Sequence, residues 1–329
     1  MKSFFLALCR VLCVLLVLTS CSKNHSTTPE ETQGSSLPNS DSMIGRFSCQ
    51  DCVAEGILFS RCLNELEEYG GRSEIHVFSD SVVTRVTDNL NRNEDPIWVP
   101  FERAFIDVTL EDHYYLEIVC ADGGLATALF PNLSSDFHYI CPSVSFDGRD
   151  ICFIKRVKSG GFDGCVVVYN VDSMSFTGYD LGEYGTPISA EISPNGQYIV
   201  CTNSSSRICL IDKATRKVHL LTDVDSSSPS FSPDSRQIVY SQENSKNEYA
   251  VNLWLQDILT GHRRQLTTET TVKDYDACFS PLGKEIVFSR RMLPYHGSEI
   301  YHLWILNLYD ESLTQITDGP ENDYDPRWR

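Results

Sequence analysis

Long apolar runs are almost absent from this chain of 329 residues. The stretch Val11 to Leu18 is eight residues, far short of the ~20 that a helix needs to cross a bilayer. Basic side chains are also scarce. Against 45 Asp and Glu stand 27 Lys and Arg, a net charge of −18, and binding to nucleic acid requires the opposite balance. No GxSxG occurs, which removes the nucleophile elbow of the α/β-hydrolases. Of the eight histidines, all but His25, namely His76, His113, His138, His219, His262, His296 and His302, are spread over the rest of the chain without HxH or HExxH spacing, so no metal site is written in the local sequence. The CxxC pair Cys49 and Cys52 has no second pair and no helix-opening redox context, which leaves it a candidate local disulfide or two free thiols.

What is present begins at the N-terminus. Lys2 and Arg10 form a basic n-region ahead of that eight-residue apolar run, the pattern of a secretory signal. Leu18-Thr19-Ser20-Cys21 follows and resembles the lipobox of bacterial lipoproteins. The resemblance implies cleavage after residue 20 and a covalent lipid, palmitate included, on Cys21. Ser22 at the next position leans toward the outer membrane. Residues 21–48 are rich in Ser, Thr, Pro and Asn and read as the lipidated cysteine plus a flexible tether. Without residues 1–20 the chain keeps 25 basic and 45 acidic side chains, a net charge of −20. Ten further cysteines follow Cys21; Cys152, Cys201 and Cys209 sit at strand positions that other repeats fill with Val, Tyr or Leu, and read as packing residues.

The rest, residues 49–329, repeats itself. "FSPDSRQIVYS" from Phe231 returns as "FSPLGKEIVFS" from Phe279. Aligned on that first aromatic, six anchors appear: Trp98, Val144, Ile192, Phe231, Phe279 and Trp328, spaced 46, 48, 39, 48 and 49 residues apart. Turn residues follow each internal anchor, as in Ser193-Pro194-Asn195-Gly196. Pro presets one backbone angle there, and Gly or Asn tolerates the left-handed one. Then come strands rich in β-branched and aromatic residues, the last of them typically ending in Thr. Four antiparallel strands every 40 to 50 residues define a β-propeller blade, whose apolar faces are buried only by neighbouring blades. The first repeat, from Gly56, lacks an anchor strand, and "DYDPRWR" at the C-terminus matches "NEDPIWVP" from Asn93. The expectation is an all-β, six-bladed β-propeller with four-stranded blades, its ring closed by the C-terminal strand.

The apolar anchor, Ser-Pro-Asp-Gly turn, Ile-Val-Phe-Ser strand and Leu-Thr ending resemble the TolB-type propeller repeat, most clearly over residues 187–329. In that family an N-terminal α/β domain precedes a six-bladed propeller that works in the Tol–Pal envelope system; here a lipid signal and tether stand in its place. The resemblance implies a protein- or peptide-binding scaffold of WD-like repeats and not an enzyme. It implies an envelope partner, a peptidoglycan-associated protein among the choices, with no nucleic acid and no cofactor beyond the lipid on Cys21. The expected state is a monomer, lipid-anchored to the outer membrane and facing the periplasm. The rival is a propeller enzyme acting on carbohydrate or peptide through a His and carboxylate site at the channel, as in the oligogalacturonate lyases.

Asp95, Asp276 and Asp325 each precede their anchor by three residues. Equivalent positions elsewhere hold Cys141, Ser189 and Ser228. In a propeller this point lies near the axial channel, so three carboxylates with Tyr275 and Tyr324 beside two of them form a candidate partner-binding mouth. The alternative is that each Asp caps its own loop through a side-chain hydrogen bond.

Overall fold

The computed structural model describes residues 56–62, 73–88, 92–100, 102–121, 126–158, 163–293 and 300–329. The signal segment 1–20, the tether 21–48 and the residues Cys21, Cys49 and Cys52 lie outside them. The fold is an all-β propeller built from four-stranded antiparallel meanders, each running from an inner strand outward. The first combines β1 (Ile57–Cys62), β2 (Ser73–Ser79) and β3 (Val82–Arg85) with the C-terminal strand β24 (Asn322–Trp328) as its inner strand. β24 pairs antiparallel with β1, Ile57 opposite Trp328. Closure is completed at Gly56, whose N–H and C=O both bond Arg329 at 3.0 Å. Gly56 has φ +138, and a Cβ there would meet Phe78 O at 2.7 Å, so only glycine fits this junction.

Three further sheets repeat the plan: β4 (Arg92–Trp98) to β7 (Ala126–Ala128), β8 (Phe137–Val144) to β11 (Ser175–Tyr179), and β12 (Pro187–Ile192) to β15 (Val218–Leu220). The repeat predicts six separate sheets, and the described residues form five. The last two meanders, β16 (Ser226–Phe231) to β19 (Arg263–Gln265) and β20 (Val272–Phe279) to β23 (Leu313–Gln315), are hydrogen-bonded as one eight-stranded sheet. The cause is local: β18 (Asn247–Asp257) is long enough to meet β20 in a single parallel pair, Val251 with Lys273.

The repeated residues explain the repeated shape. In the turns after three of the inner strands a serine works twice. Ser232 Oγ accepts from Gln237 N–H at 2.9 Å and donates to Asp234 Oδ1 at 2.7 Å, and Ser145 and Ser193 do the same with Asp150 and Asp147, and with Tyr198 and Asn195. The threonines that end the repeats accept a backbone N–H from the third strand: Thr87 from Ile75, Thr222 from Ile208, Thr267 from Leu253 and Thr317 from Leu303, at 2.8 to 3.0 Å. These bonds satisfy buried donors that the short outer strands do not reach.

Apolar clusters lie between each meander and the next. Cys152, Cys201 and Cys209 are fully buried between the third and fourth, beside Ile154, Val166 and Ile199, as packing residues. A last cluster, Ile57 and Phe59 against Val287 and Leu303, joins the final meander to the first. Burial of this kind, worth about 1.5–3 kcal/mol per large side chain, holds the sheets in a ring.

Candidate functional site

The inner strands are bulged at matching positions. Register shifts fall between Glu94 and Ile97, Ile140 and Ser143, Ser227 and Ser230, and Tyr275 and Cys278. At these bulges Asp95, Cys141, Ser228 and Asp276 take φ of 48°, 54°, 50° and 54°, and Asp325 in β24 takes 52°. In four of the five a proline follows: Pro96, Pro142, Pro229 and Pro326. Proline brings no N–H to the ladder, and the residue before it avoids the right-handed helical region. A bulge re-aims its side chain, and here it turns five of them toward the axis. In β12 the irregularity lies between Pro187 and Ser189.

The three predicted aspartates come together. Ser228 Oγ donates to Asp276 Oδ1 at 2.9 Å, from one meander to the next, and the Asp325 N–H also donates to Asp276. Asp95 lies within side-chain hydrogen-bonding reach of Asp325. The Asp276 carboxylate thus bonds the meanders on either side of its own instead of capping its own loop. Burial, then repulsion from Asp95 and Asp276, pushes the Asp325 pKa well above the usual carboxylate range. Asp276 is raised for the same first reason, offset by its bond from Ser228 and by Arg327. Cys141 is also raised, by burial and by the charges of Asp95 and Asp325.

Two residues one position before their anchors were not singled out in the sequence. Glu191 accepts from Phe231 N–H at 2.7 Å and from Ser230 Oγ at 3.0 Å; burial raises its pKa and Arg327 opposes the rise. Burial also disfavours the charge on Arg327, but Glu191, Asp325 and Asp95 outweigh it and the guanidinium is held protonated. The axis therefore carries four carboxyls around one cation. The signal was available: aligned on the anchors, this position reads Ile97, Ser143, Glu191, Ser230, Cys278 and Arg327, with one acid and one base three repeats apart.

Beside the aspartates a cavity of about 420 Å³ opens, lined by Cys62, Arg92, Tyr275, Asp276, Tyr301, Asn322 and Tyr324. Tyr275 and Tyr324 both line this cavity, and Tyr301 joins them with its ring centroid 6.1 Å from that of Tyr275. Tyr324 donates its hydroxyl to Glu94 Oε1 at 3.1 Å, and Arg92 pairs with the same carboxylate at 2.5 Å. Burial and the adjacent Glu94 charge raise the Tyr324 pKa, so its hydroxyl stays a donor. A larger open groove of about 760 Å³ lies on the rim between β15 and the turn after β18 and shares no residue with the axial set.

The histidines are dispersed. His76 is buried beside Phe59 with Nδ1 at Glu74 O, and His138 accepts from Tyr114 N–H. Among the described residues no group of three or more His, Cys, Asp or Glu forms a metal-holding arrangement, and Cys141, Cys152, Cys165, Cys201, Cys209 and Cys278 are free thiols.

Bulged four-stranded meanders around a charged axis define a β-propeller frame. Its fold is that of the TolB propeller. The chain superposes on TolB from Acinetobacter baumannii with a TM-score of 0.66 at 16% identity, over 83% of this chain and 66% of that one. A TolB-type structure from Agrobacterium tumefaciens gives 0.61 at 14% identity, over 84% and 98%. The oligogalacturonate lyase of Vibrio parahaemolyticus gives 0.52 at 8%, over 74% and 71%. This chain thus spans just under two thirds of the Acinetobacter protein. No protein-family model and no curated protein sequence matches it.

Proposed function

We propose that this protein is a lipid-anchored envelope component whose propeller binds a protein or peptide at the mouth formed by Asp95, Asp276, Asp325, Tyr275 and Tyr324. The observation that carries the reading is the convergence of three carboxylates beside a tyrosine-walled cavity of about 420 Å³. Clustered like charges hold mutual repulsion that a cationic or hydrogen-bond-donating partner relieves, and a rigid strand frame keeps the mouth preorganised. The two meanders of the eight-stranded sheet count as separate blades, which makes the ring six-bladed; the support is that one parallel pair alone links them. Cys21 is the lipidation site, and the mature chain is a monomer on the outer membrane, facing the periplasm. Cys21→Ala is expected to abolish labelling by palmitate and membrane association.

The test of the mouth is affinity capture from the native envelope with the mature chain and with an Asp276→Asn/Asp325→Asn variant. A captured protein that the parent retains at low salt and the variant loses supports the site. Identical capture by both sinks it. The competing enzyme reading draws on the lyase likeness, which is one of fold; its test is release of unsaturated sugar ends from a polyuronide, lost in the same variant.

A further inference from the structure

We infer that the tyrosine-walled cavity at the mouth is a cage for an alkylammonium group, and that the partner fills it with a lysine side chain. The inference rests on the mouth reading above and names the chemistry that the mouth selects. Three rings form the walls. Tyr275 comes from β20 and Tyr324 from β24, each directly before its bulged aspartate, and Tyr301 stands just ahead of β22 (His302–Asn307). The centroids of Tyr275 and Tyr301 are 6.1 Å apart with the rings inclined at 59°, so the two meet as a corner and not as a stack. Asp276 is the acid that lines the same cavity.

The walls are held in place. The Tyr324 hydroxyl is tied to Glu94 Oε1 at 3.1 Å, and the Tyr301 N–H donates to Asn322 Oδ1 at 2.8 Å. Aromatic rings attract a cation through their negative faces, and the attraction grows as water is excluded. A fixed aromatic corner closed by a carboxylate is therefore a better host for an ammonium than for a neutral group of equal size.

The surrounding charges leave room for a further cation. Arg92, the cation lining the cavity, is matched by Glu94 at 2.5 Å. Arg61 and Arg290 are matched by Asp323 and Asp274 at 2.6 and 2.7 Å. Arg291, which stands 5.2 Å from the Tyr301 centroid, and Arg327 on the axis then face Asp95, Glu191, Asp276 and Asp325. Burial raises the Asp276 pKa, and an ammonium against that carboxylate stabilises its charged form. Asp276 also decides between the two kinds of cationic side chain. It already accepts from Ser228 Oγ on Oδ1 and from the Asp325 N–H, which leaves no open pair of oxygens for the fork of a guanidinium. A point charge needs one contact, and the four-carbon stem of a lysine packs along the rings.

The experiment titrates the mature chain with acetyl-lysine methylamide, with its uncharged counterpart acetyl-norleucine methylamide, and with glycinamide as a chain-end amine, read by saturation-transfer NMR. The lysine probe is expected to bind about tenfold or more tightly than the norleucine probe. Tyr275→Leu should weaken the lysine probe about tenfold, and Tyr275→Phe, which keeps the ring, should hold it within about twofold of the parent. Urea midpoints of both variants show whether they fold, and if Tyr275→Leu does not, the lysine and norleucine titrations of the parent decide alone. Equal binding of those two probes, no binding of the lysine probe at millimolar concentration, or full binding by a folded Tyr275→Leu overturns the inference. Tighter binding of glycinamide overturns it too, by giving the cage to a chain end. The mouth reading is scored apart by the capture assay: capture lost in Asp276→Asn/Asp325→Asn without a lysine preference defeats the cage and spares the mouth, and a lysine preference with unchanged capture does the opposite.

Discussion

Replacing Arg327 by Met removes the cation from the axis and leaves Glu191, Asp325 and Asp95, the carboxylates that hold its charge in place, without compensation. Breaking a buried ion cluster by deleting one partner costs about 3–5 kcal/mol. The axial side chains are half-buried and not sealed, so about 2–4 kcal/mol is the expected loss at neutral pH after solvent screening. The pH dependence identifies the cause. Asp276, Asp325 and Glu191 have folded pKa values above their ordinary ones. The stability each lends is complete below its unfolded pKa and is lost as pH rises through the folded value. Without Arg327 those folded values climb further, so the deficit must be large at about pH 7.5 and shrink at about pH 4.5. Urea denaturation of both proteins at the two pH values measures it. An equal deficit at both would assign the loss to packing and refute the electrostatic argument.

Asp107 gives a second titration. Burial, then repulsion from Glu117, raises its pKa to about 8, so its stabilising contribution is complete below about pH 4 and fades as pH rises toward 8. Asp107→Asn keeps the shape and is expected to flatten that part of the stability profile, read by thermal melts across the range. Thr267→Val should cost about 1–3 kcal/mol, because Leu253 N–H loses its acceptor and Asp274 Oδ2 the donor at 2.7 Å; urea midpoints test this. Deleting residues 322–329 takes away β24 and leaves β1 with an open edge. Loss of cooperative unfolding and rapid proteolysis are expected, and a truncated chain with the parent's melting profile would show that closure is dispensable.

Much of the ring was legible because its cause is local and repeated. An apolar anchor, a Ser-Pro-Asp turn and a Thr ending each have a bond that requires them, so spacing alone placed β13 (Tyr198–Asn203), β17 (Gln237–Asn244) and β21 (Glu285–Met292). Pairing of Trp328 with Ile57 was readable from a half-repeat at each end of the chain. The merged sheet was not, since it depends on the extra length of β18 and one contact with Lys273. At the axis, Asp95, Asp276 and Asp325 were found by alignment, and their partners were missed for two reasons. Arg327 and Glu191 occupy a position where other repeats hold Ile, Ser or Cys, so neither looks like part of a pattern. Tyr301 lines the cavity from just ahead of β22 (His302–Asn307), outside the aligned motif, and Arg92 stands one residue before the aligned Asn93 in β4.

The left-handed bulge separates what belongs to the frame from what belongs to the site. A non-glycine residue in that region costs on the order of 1 kcal/mol or more, yet five inner strands accept it, and they do so with Asp, Cys and Ser alike. A conformation shared by such different side chains is set by the frame, through the following proline and the twist of the inner strand. The side chain carried at that point is then free to differ from blade to blade without altering the fold. Asp95→Asn should therefore leave stability within about 1 kcal/mol of the parent, since Asn tolerates the left-handed region as well as Asp does, while removing one charge from the mouth. Urea denaturation alongside the capture assay reads both quantities. A variant that binds less and folds equally well would place the recognition in the carboxylate, and a large loss of stability would instead tie that carboxylate to holding the bulge.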